Sequence, residues 1–448
     1  MPTDTPDTKG PPAIRRMADN LRLAAFPVAY GLSGVLIGGT LNRVMIAELR
    51  VPATFVAMLF AIPLLLSPLR LWFGHRSDGH PILGRRREPY MLLGALVIGG
   101  GVYAIAWATR HHSANLPAFL AAGAAAFLLY GLGRNLAHNS YQALVAEKFT
   151  GDRRGRAMTL YEVATLLGSV AGAGLLGRAM EHYDPARLLT VAGGVALAVV
   201  ALTLVAAPGQ ERDIGAVERA DRARDKPFAQ VLRDYVLADP QVRRLFVVVI
   251  CTFTGTLAQD VLLEPYGAMV LNLSVGETTR LTMFWGLGVL IAMLLSGVLL
   301  LRWLGALRLM RIGLVLNILV FSGVGIVGLT GAPGAFRWMV LALGICAGLT
   351  GAGMLSSVAE FTTPERAGLL MGVWGMANMV GHAVGSLMGG IIVDTMRLAT
   401  GSAVVAYTSL FACEVALLVV ALGLSLGLSP ARTRARTEFA GGDLKPES

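Results

Sequence analysis

Charge is scarce in this chain. Only 15% of its 448 residues are Asp, Glu, Lys or Arg, against 55% hydrophobic, and the mean hydropathy is +0.63. A soluble globular chain carries about a quarter charged residues. A deficit of this size along the whole length excludes an ordinary soluble domain and points to the bilayer. Cysteine is scarce too. Cys251, Cys346 and Cys413 each lie in an apolar run, without CxxC or metal-ligand spacing, so they read as small buried hydrophobes and no disulfide framework is expected. No nucleotide-binding loop and no nucleophile–base pair stands out, so the chain is not read as an enzyme, and no metal site is expected in a soluble segment. The basic excess of +10 does not imply nucleic acid. The basic residues sit in short clusters between apolar runs, which is the pattern of the positive-inside rule.

Apolar runs are what the sequence has in abundance. About 20 apolar residues cross a bilayer core as a helix, and twelve runs qualify: 22–47, 52–73, 90–109, 117–146, 157–181, 188–207, 245–272, 278–301, 309–329, 337–360, 369–393 and 403–428. The fold class is therefore an all-α membrane protein. Residues 1–20 read as a flexible N-terminal tail, 21–207 as a six-helix bundle, 208–244 as a charged linker, 245–428 as a second six-helix bundle, and 429–448 as a C-terminal tail. The linker serves as a spacer more readily than as a docking surface. Most Lys and Arg collect on the side of the N-terminus, which predicts cytoplasmic termini in a bacterial inner membrane.

The two halves are related. At an offset of 213, residues 147–172 match 360–385 at Glu147/Glu360, Thr150/Thr363, Arg153/Arg366, Gly155/Gly368, Met158/Met371, Ala164/Ala377, Gly168/Gly381 and Gly172/Gly385. These eight identities in 26 positions exceed the two or three that composition gives, roughly. The loop after span 2 carries Gly74, Asp78, Gly84, Arg85 and Arg86. It resembles the signature loop between helices 2 and 3 of the major facilitator superfamily, which implies two pseudo-symmetric six-helix bundles. In that family the Asp sits near the start of helix 11, where the helix dipole favours a negative charge, and latches the bundles. Thr150–Arg156 and Thr363–Gly368 match in each half and place an acid, Asp152 or Glu365, before a helix. They read as structural or gating elements.

Polar residues inside spans are costly unless they face a cavity or a partner. Span 4 carries Arg134, Asn135, His138, Asn139, Tyr141 and Gln142; span 7 carries Gln259, Asp260 and Glu264 before Pro265, which is expected to bend the helix; span 1 carries Asn42 and Arg43. In the superfamily, helices 1, 4, 7 and 10 line the central cavity, so these residues are the candidate binding set. Arg43 is expected to pair with Glu264 or Asp260, an arrangement that serves helix packing as readily as binding. His138 and His382 are intramembrane imidazoles, more often packing groups than ligands, and Asn378 lies one turn before His382.

More specific strings follow. Gly39–Leu49, Phe73–Asp78, Gln259–Gly267 and Leu273–Thr279, with TLNRVMI and QDVLLEPYG foremost, resemble the PucC/LhaA group, the bacteriochlorophyll delivery family. The resemblance spans nearly the whole chain. It implies an assembly factor or carrier that holds bacteriochlorophyll or a precursor for light-harvesting polypeptides, or that partners pigment-synthesis enzymes. One branch of the family is called a bacteriochlorophyll synthase subunit. Under this reading His138, ahead of His382, is the candidate axial ligand for the pigment magnesium, because neutral imidazole suits that role. The alternative is a proton-coupled transporter of a small organic solute, with Asp260 and Glu264 as proton carriers and Arg43 or Arg134 as the anion anchor.

Overall fold

The computed structural model describes residues 19–111, 115–149, 152–211, 240–361 and 367–429. Among them the chain is helical apart from turns and one isolated bridge between Ile82 and Arg85. The helices are α1 (Asp19–Glu48), α2 (Ala53–Leu65), α3 (Leu69–Gly79), α4 (Glu88–Arg110), α5 (Leu116–Lys148), α6 (Asp152–Ala179), α7 (Pro185–Ala206), α8 (Pro240–Leu271), α9 (Val275–Leu304), α10 (Ala306–Thr330), α11 (Pro333–Glu360), α12 (Ala367–Thr400) and α13 (Ala403–Leu426). Eleven are long and apolar enough to cross a membrane, and α2 with α3 makes a further crossing in two pieces. The protein is a multi-pass membrane protein, and its outward side chains agree: Leu197, Val298, Leu319 and Trp303 are all exposed.

The second crossing departs from the single span expected over 52–73. Pro68 has no N–H to give the Leu64 carbonyl, which accepts from Ser67 N instead (3.0 Å). The helix ends and restarts there. The eleventh crossing departs the other way: it was expected to stop at 393 and runs to Thr400. Asp394 and Arg397 looked like loop residues, but the Asp394 carboxylate is satisfied by another helix, as described below. In α8 the interruption lies at Ala258, two turns before Pro265. The Thr252 and Thr256 hydroxyls donate back to the Val248 and Thr252 carbonyls, both at 2.7 Å, and such back-bonding loosens a helix.

The repeat read from the sequence is present as packing. In the first half α6 and α7 pack on α1, and α4 packs on α5 and α7. In the second, α12 and α13 pack on α8, and α10 packs on α11 and α13. The matched glycines do the same work in each half. A Cβ on Gly168 would fall 2.3 Å from the Val28 carbonyl oxygen of α1, and one on Gly381 would fall 2.5 Å from Phe253 Cβ of α8. Small residues at such places let helices approach closely in lipid.

The bundles meet by a reciprocal pair of contacts, α6 on α9 and α2 on α12. At the end away from the chain termini they are tied by side chains. Asp394 Oδ1 accepts from Ala53 N (3.0 Å), and its Oδ2 accepts from Thr54 N (2.8 Å) and the Thr54 hydroxyl (2.6 Å). Arg43 Nη2 donates to the Leu273 carbonyl (3.1 Å), Thr40 and Thr279 share a hydroxyl bond (3.1 Å), and Arg280 lies 3.5 Å from Glu181.

At the opposite end, the Gly84–Arg87 loop is held by its own bundle. Gly84 (φ 73°) follows Leu83 (φ 53°) in the tight turn. Arg85 pairs with Glu88, and the N–H groups of Arg86, Arg87 and Glu88 donate to the Glu211 carboxylate at 2.9–3.0 Å. Glu211 N donates back to Glu88 (2.7 Å), and Arg87 bridges to Glu147 (2.5 Å). The beginning of the segment read as a spacer is therefore docked on α4. The side chain of Asp78, residues 150–151 and 362–366 at the matched loops Thr150–Arg156 and Thr363–Gly368, the rest of the linker and most of both tails lie outside the described residues.

Candidate functional site

A cavity of about 370 Å³ lies between the bundles. Its walls come from both halves: Gly34 and Gly38 of α1, Phe60 of α2, Phe127, Tyr130 and Arg134 of α5, Glu264 of α8, Trp285 of α9, His382 and Ser386 of α12. The α1 glycines open one wall, since a Cβ on Gly34 or Gly38 would meet no atom within 4 Å. Next to them α1 runs in π-helical turns, Leu36–Leu41 and Val44–Glu48, a distortion frequent at functional sites.

Three expected site residues converge on this cavity. The Arg134 guanidinium reaches in from α5. Its Nε donates to the Tyr30 hydroxyl (2.5 Å) and its Nη1 to the Tyr130 hydroxyl (3.3 Å), with the Tyr30 ring 4.6 Å away. No ion pair joins Arg134 to a carboxylate among the described residues. Glu264 is buried and accepts from the Thr282 hydroxyl (3.0 Å). His382 stands on the wall contributed by α12.

The other expected residues go elsewhere. Arg43 pairs with Glu48 on its own helix and with the Leu273 carbonyl, not with Glu264. It lies too near the closed end, where Glu48 supplies a local charge. Asn42 donates to the Gly38 carbonyl (2.6 Å). Asn135 faces the break in the second crossing: its Nδ2 donates to the Pro63 carbonyl (3.1 Å) and its Oδ1 accepts from Arg70 Nε (2.6 Å). It thus satisfies a carbonyl that the end of α2 leaves without an intrahelical donor. His138 turns to α6, with Nδ1 2.7 Å from the Tyr161 hydroxyl, Gln142 beside it, and its ring 5.1 Å from that of Tyr30. It is not among the residues that line the cavity. The side chains of Gln259 and Asp260 lie outside the described residues.

Sequence reading missed Tyr30, Tyr130, Thr282 and Trp285. Tyr130 had a legible signal, since it precedes Arg134 by one helical turn. The others come from different helices, and nothing local marks them. Among the described residues the assembled site is an apolar and aromatic chamber with one cation, one carboxylate and one imidazole. Sites for small organic ligands have this composition: mostly apolar walls with a few polar groups that fix orientation.

The family model described as PUCC protein matches residues 40–432. Protein PucC of Rhodobacter capsulatus is 32% identical over 91% of this chain and 91% of its own length. The bacteriochlorophyll synthase 44.5 kDa chain of the same organism is 30% identical over 93% of this chain and 96% of its own. Among solved structures, a bacterial homologue of the human lysosomal transporter Spinster, inward-facing and occupied, superposes with a TM-score of 0.70 at 12% identity, covering 95% of this chain and 98% of that one. That likeness establishes the major facilitator fold. The chain is a member of the PUCC protein family.

Proposed function

We propose that this protein is a membrane-embedded carrier or assembly factor that holds bacteriochlorophyll or a precursor in the cavity between its bundles and passes it on for light-harvesting complex assembly. The observation that carries the reading is the convergence of Arg134, Glu264 and His382 on an apolar, aromatic chamber in a chain of this family. The chemistry of the walls fits a tetrapyrrole. The Phe60, Phe127 and Trp285 side chains offer faces for a macrocycle, and His382 offers an imidazole of the kind that ligates a central magnesium. A cavity of about 370 Å³ is at the small end of ligand sites, about 300–1,000 Å³.

The pigment's chemistry is its own; this chain's residues bind, orient and exclude water. Arg134 and Glu264 mark opposite charges on the wall and so define an orientation. The far end is shut by Asp394, Arg43 and Arg280. With the termini on the cytoplasmic side of a bacterial inner membrane, as the basic loops imply, that closure faces away from the cytoplasm and pigment enters and leaves from the cytoplasmic half. The partners are then nascent light-harvesting polypeptides or pigment-synthesis enzymes, and the synthase name of one relative describes a partnership rather than catalysis by this chain.

The test is deletion in a pigmented phototroph, with absorbance of core and peripheral antenna measured separately, together with gentle purification of the protein. Loss of one antenna and far-red absorbance in the purified protein are expected. Intact antenna and a colourless preparation would reject the reading. A second reading has one observation in its favour: Glu264, a protonatable carboxylate hydrogen-bonded to Thr282, shares the cavity with Arg134. That is the equipment of a proton-coupled organic-anion transporter. Uptake of a solute that collapses with a protonophore would establish it.

A further inference from the structure

We infer that the cavity selects the unesterified acid of the pigment, a bacteriochlorin with a free propionate carboxylate, and that Arg134 is the group that binds this carboxylate. The inference rests on the pigment reading above and narrows its substrate.

A guanidinium has five N–H donors and cannot be neutralised in a protein. Arg134 spends two of them on the Tyr30 and Tyr130 hydroxyls, and both acceptors are neutral. The remaining three have no protein partner among the described residues. The cation sits midway along a membrane helix and on the wall of the cavity. A charge at that depth is expensive unless it is paired. The protein has acids elsewhere for its other buried cations: Arg43 has Glu48, and Arg87 has Glu147. Arg134 alone of these three faces the ligand chamber, and it alone is left with phenols.

The shape of the partner follows from the surroundings. Two tyrosine rings flank the guanidinium, one centred 4.6 Å and the other 5.9 Å from its central carbon. Arg134 itself lines the cavity, and a guanidinium matches a carboxylate in two-point contact. The esterified pigment offers only a neutral ester at the same carbon, whereas the acid offers the charge. The protein then acts before the esterification step, on the substrate that such a reaction consumes.

The experiment uses the full chain in nanodiscs of phosphatidylcholine, titrated with bacteriochlorophyllide, its methyl ester and tailed bacteriochlorophyll, with binding followed by quenching of tryptophan fluorescence. The acid is expected to bind on the order of tenfold to a hundredfold more tightly than either ester, the weight of one charge-assisted contact. Arg134→Gln should erase the preference, and Arg134→Lys should keep part of it. The methyl ester comparison on the unmodified chain needs no variant and survives a folding defect in Arg134→Gln. Equal binding of acid and methyl ester, or a preference that persists in a folded Arg134→Gln protein, overturns the inference while leaving the pigment reading intact. Binding of none of the three removes the pigment reading itself. Repeating the titration in phosphatidylglycerol nanodiscs separates the other source of an anion: if the preference disappears there, the guanidinium serves a lipid phosphate and the inference fails.

Discussion

Removing the Asp394 carboxylate should open the end of the protein away from the termini. This side chain belongs to the second bundle, yet it caps the first turn of α2 in the first, accepting from two backbone N–H groups and one hydroxyl at 2.6–3.0 Å. The first N–H groups of a helix have no intrahelical partner, and a negative charge there also meets the positive end of the helix dipole. Hydrogen bonds to an ionised group are worth about 1.5–3 kcal/mol each when taken singly, and a capping residue about 0.5–2 kcal/mol. Three such bonds do not add, and Asp394 is only half-buried. About 2 kcal/mol is the reasoned figure for Asp394→Ala, and about 1 kcal/mol for Asp394→Asn, which keeps an acceptor and loses the charge. Because the contact exists only when the two bundles are closed at that end, the whole effect falls on the closed-to-open ratio. That is a shift of about 30-fold for the first variant and about fivefold for the second. Spin labels at His182→Cys and Thr400→Cys, exposed positions on different bundles, report the distance across the gap in a chain lacking Cys251, Cys346 and Cys413. The longer-distance population should grow in the order parent, Asp394→Asn, Asp394→Ala. Identical distance distributions in all three would refute the argument that this carboxylate closes the gate.

Four further outcomes are expected. Glu211→Ala leaves three N–H groups at the start of α4 without their acceptor and should cost about 2 kcal/mol, seen as a lower melting temperature, with Glu211→Gln recovering much of it. Gly168→Ala places a methyl 2.3 Å from the Val28 carbonyl and should destabilise by about 1–3 kcal/mol, whereas Gly34→Ala, with nothing within 4 Å, should be neutral in the same thermal assay. Asn135→Leu leaves Arg70 Nε and the Pro63 carbonyl unpaired and should cost about 2–3 kcal/mol, measured by chemical unfolding in detergent. His382→Ala should weaken pigment retention on purification by about tenfold while His138→Ala leaves it near the parent level; the reverse order would return the ligand role to His138.

The architecture was legible because the bilayer leaves few choices. Apolar length gives the crossings, and the repeat at 147–172 and 360–385 gives the two halves. Both signals are local or periodic. The failures came where a polar residue is satisfied across a long distance in sequence. Asp394 looked like a residue beyond the end of span 11 because its partners, Ala53 and Thr54, lie more than 300 positions away. Arg43 was expected to pair with Glu264 or Asp260, but the π-helical turn brings Glu48 within reach on the same helix. Helical bookkeeping at 3.6 residues per turn does not see a local change of winding.

The polar stripe of α5 shows what sequence can and cannot sort. Arg134, Asn135, His138 and Tyr141 share a span and nearly share a face, so the sequence offers them as one site. Folding divides them among three neighbours. Asn135 braces the broken crossing, His138 bonds Tyr161 of α6, and Tyr141 stacks on Phe26 of α1 at 4.9 Å. Each is a polar group paid off by packing, which is the ordinary fate of polarity in a membrane helix. Arg134 differs because its partners among the described residues, two tyrosine hydroxyls, do not match its charge. In a low-dielectric interior a polar residue that finds a full set of partners is explained by the fold, and the one left incompletely satisfied beside a cavity is the one that a ligand completes. On the proposed reading His382, which lines the cavity, stands nearer the ligand than His138, which does not, and Arg134 rather than either histidine is the residue whose loss should change which ligand is bound.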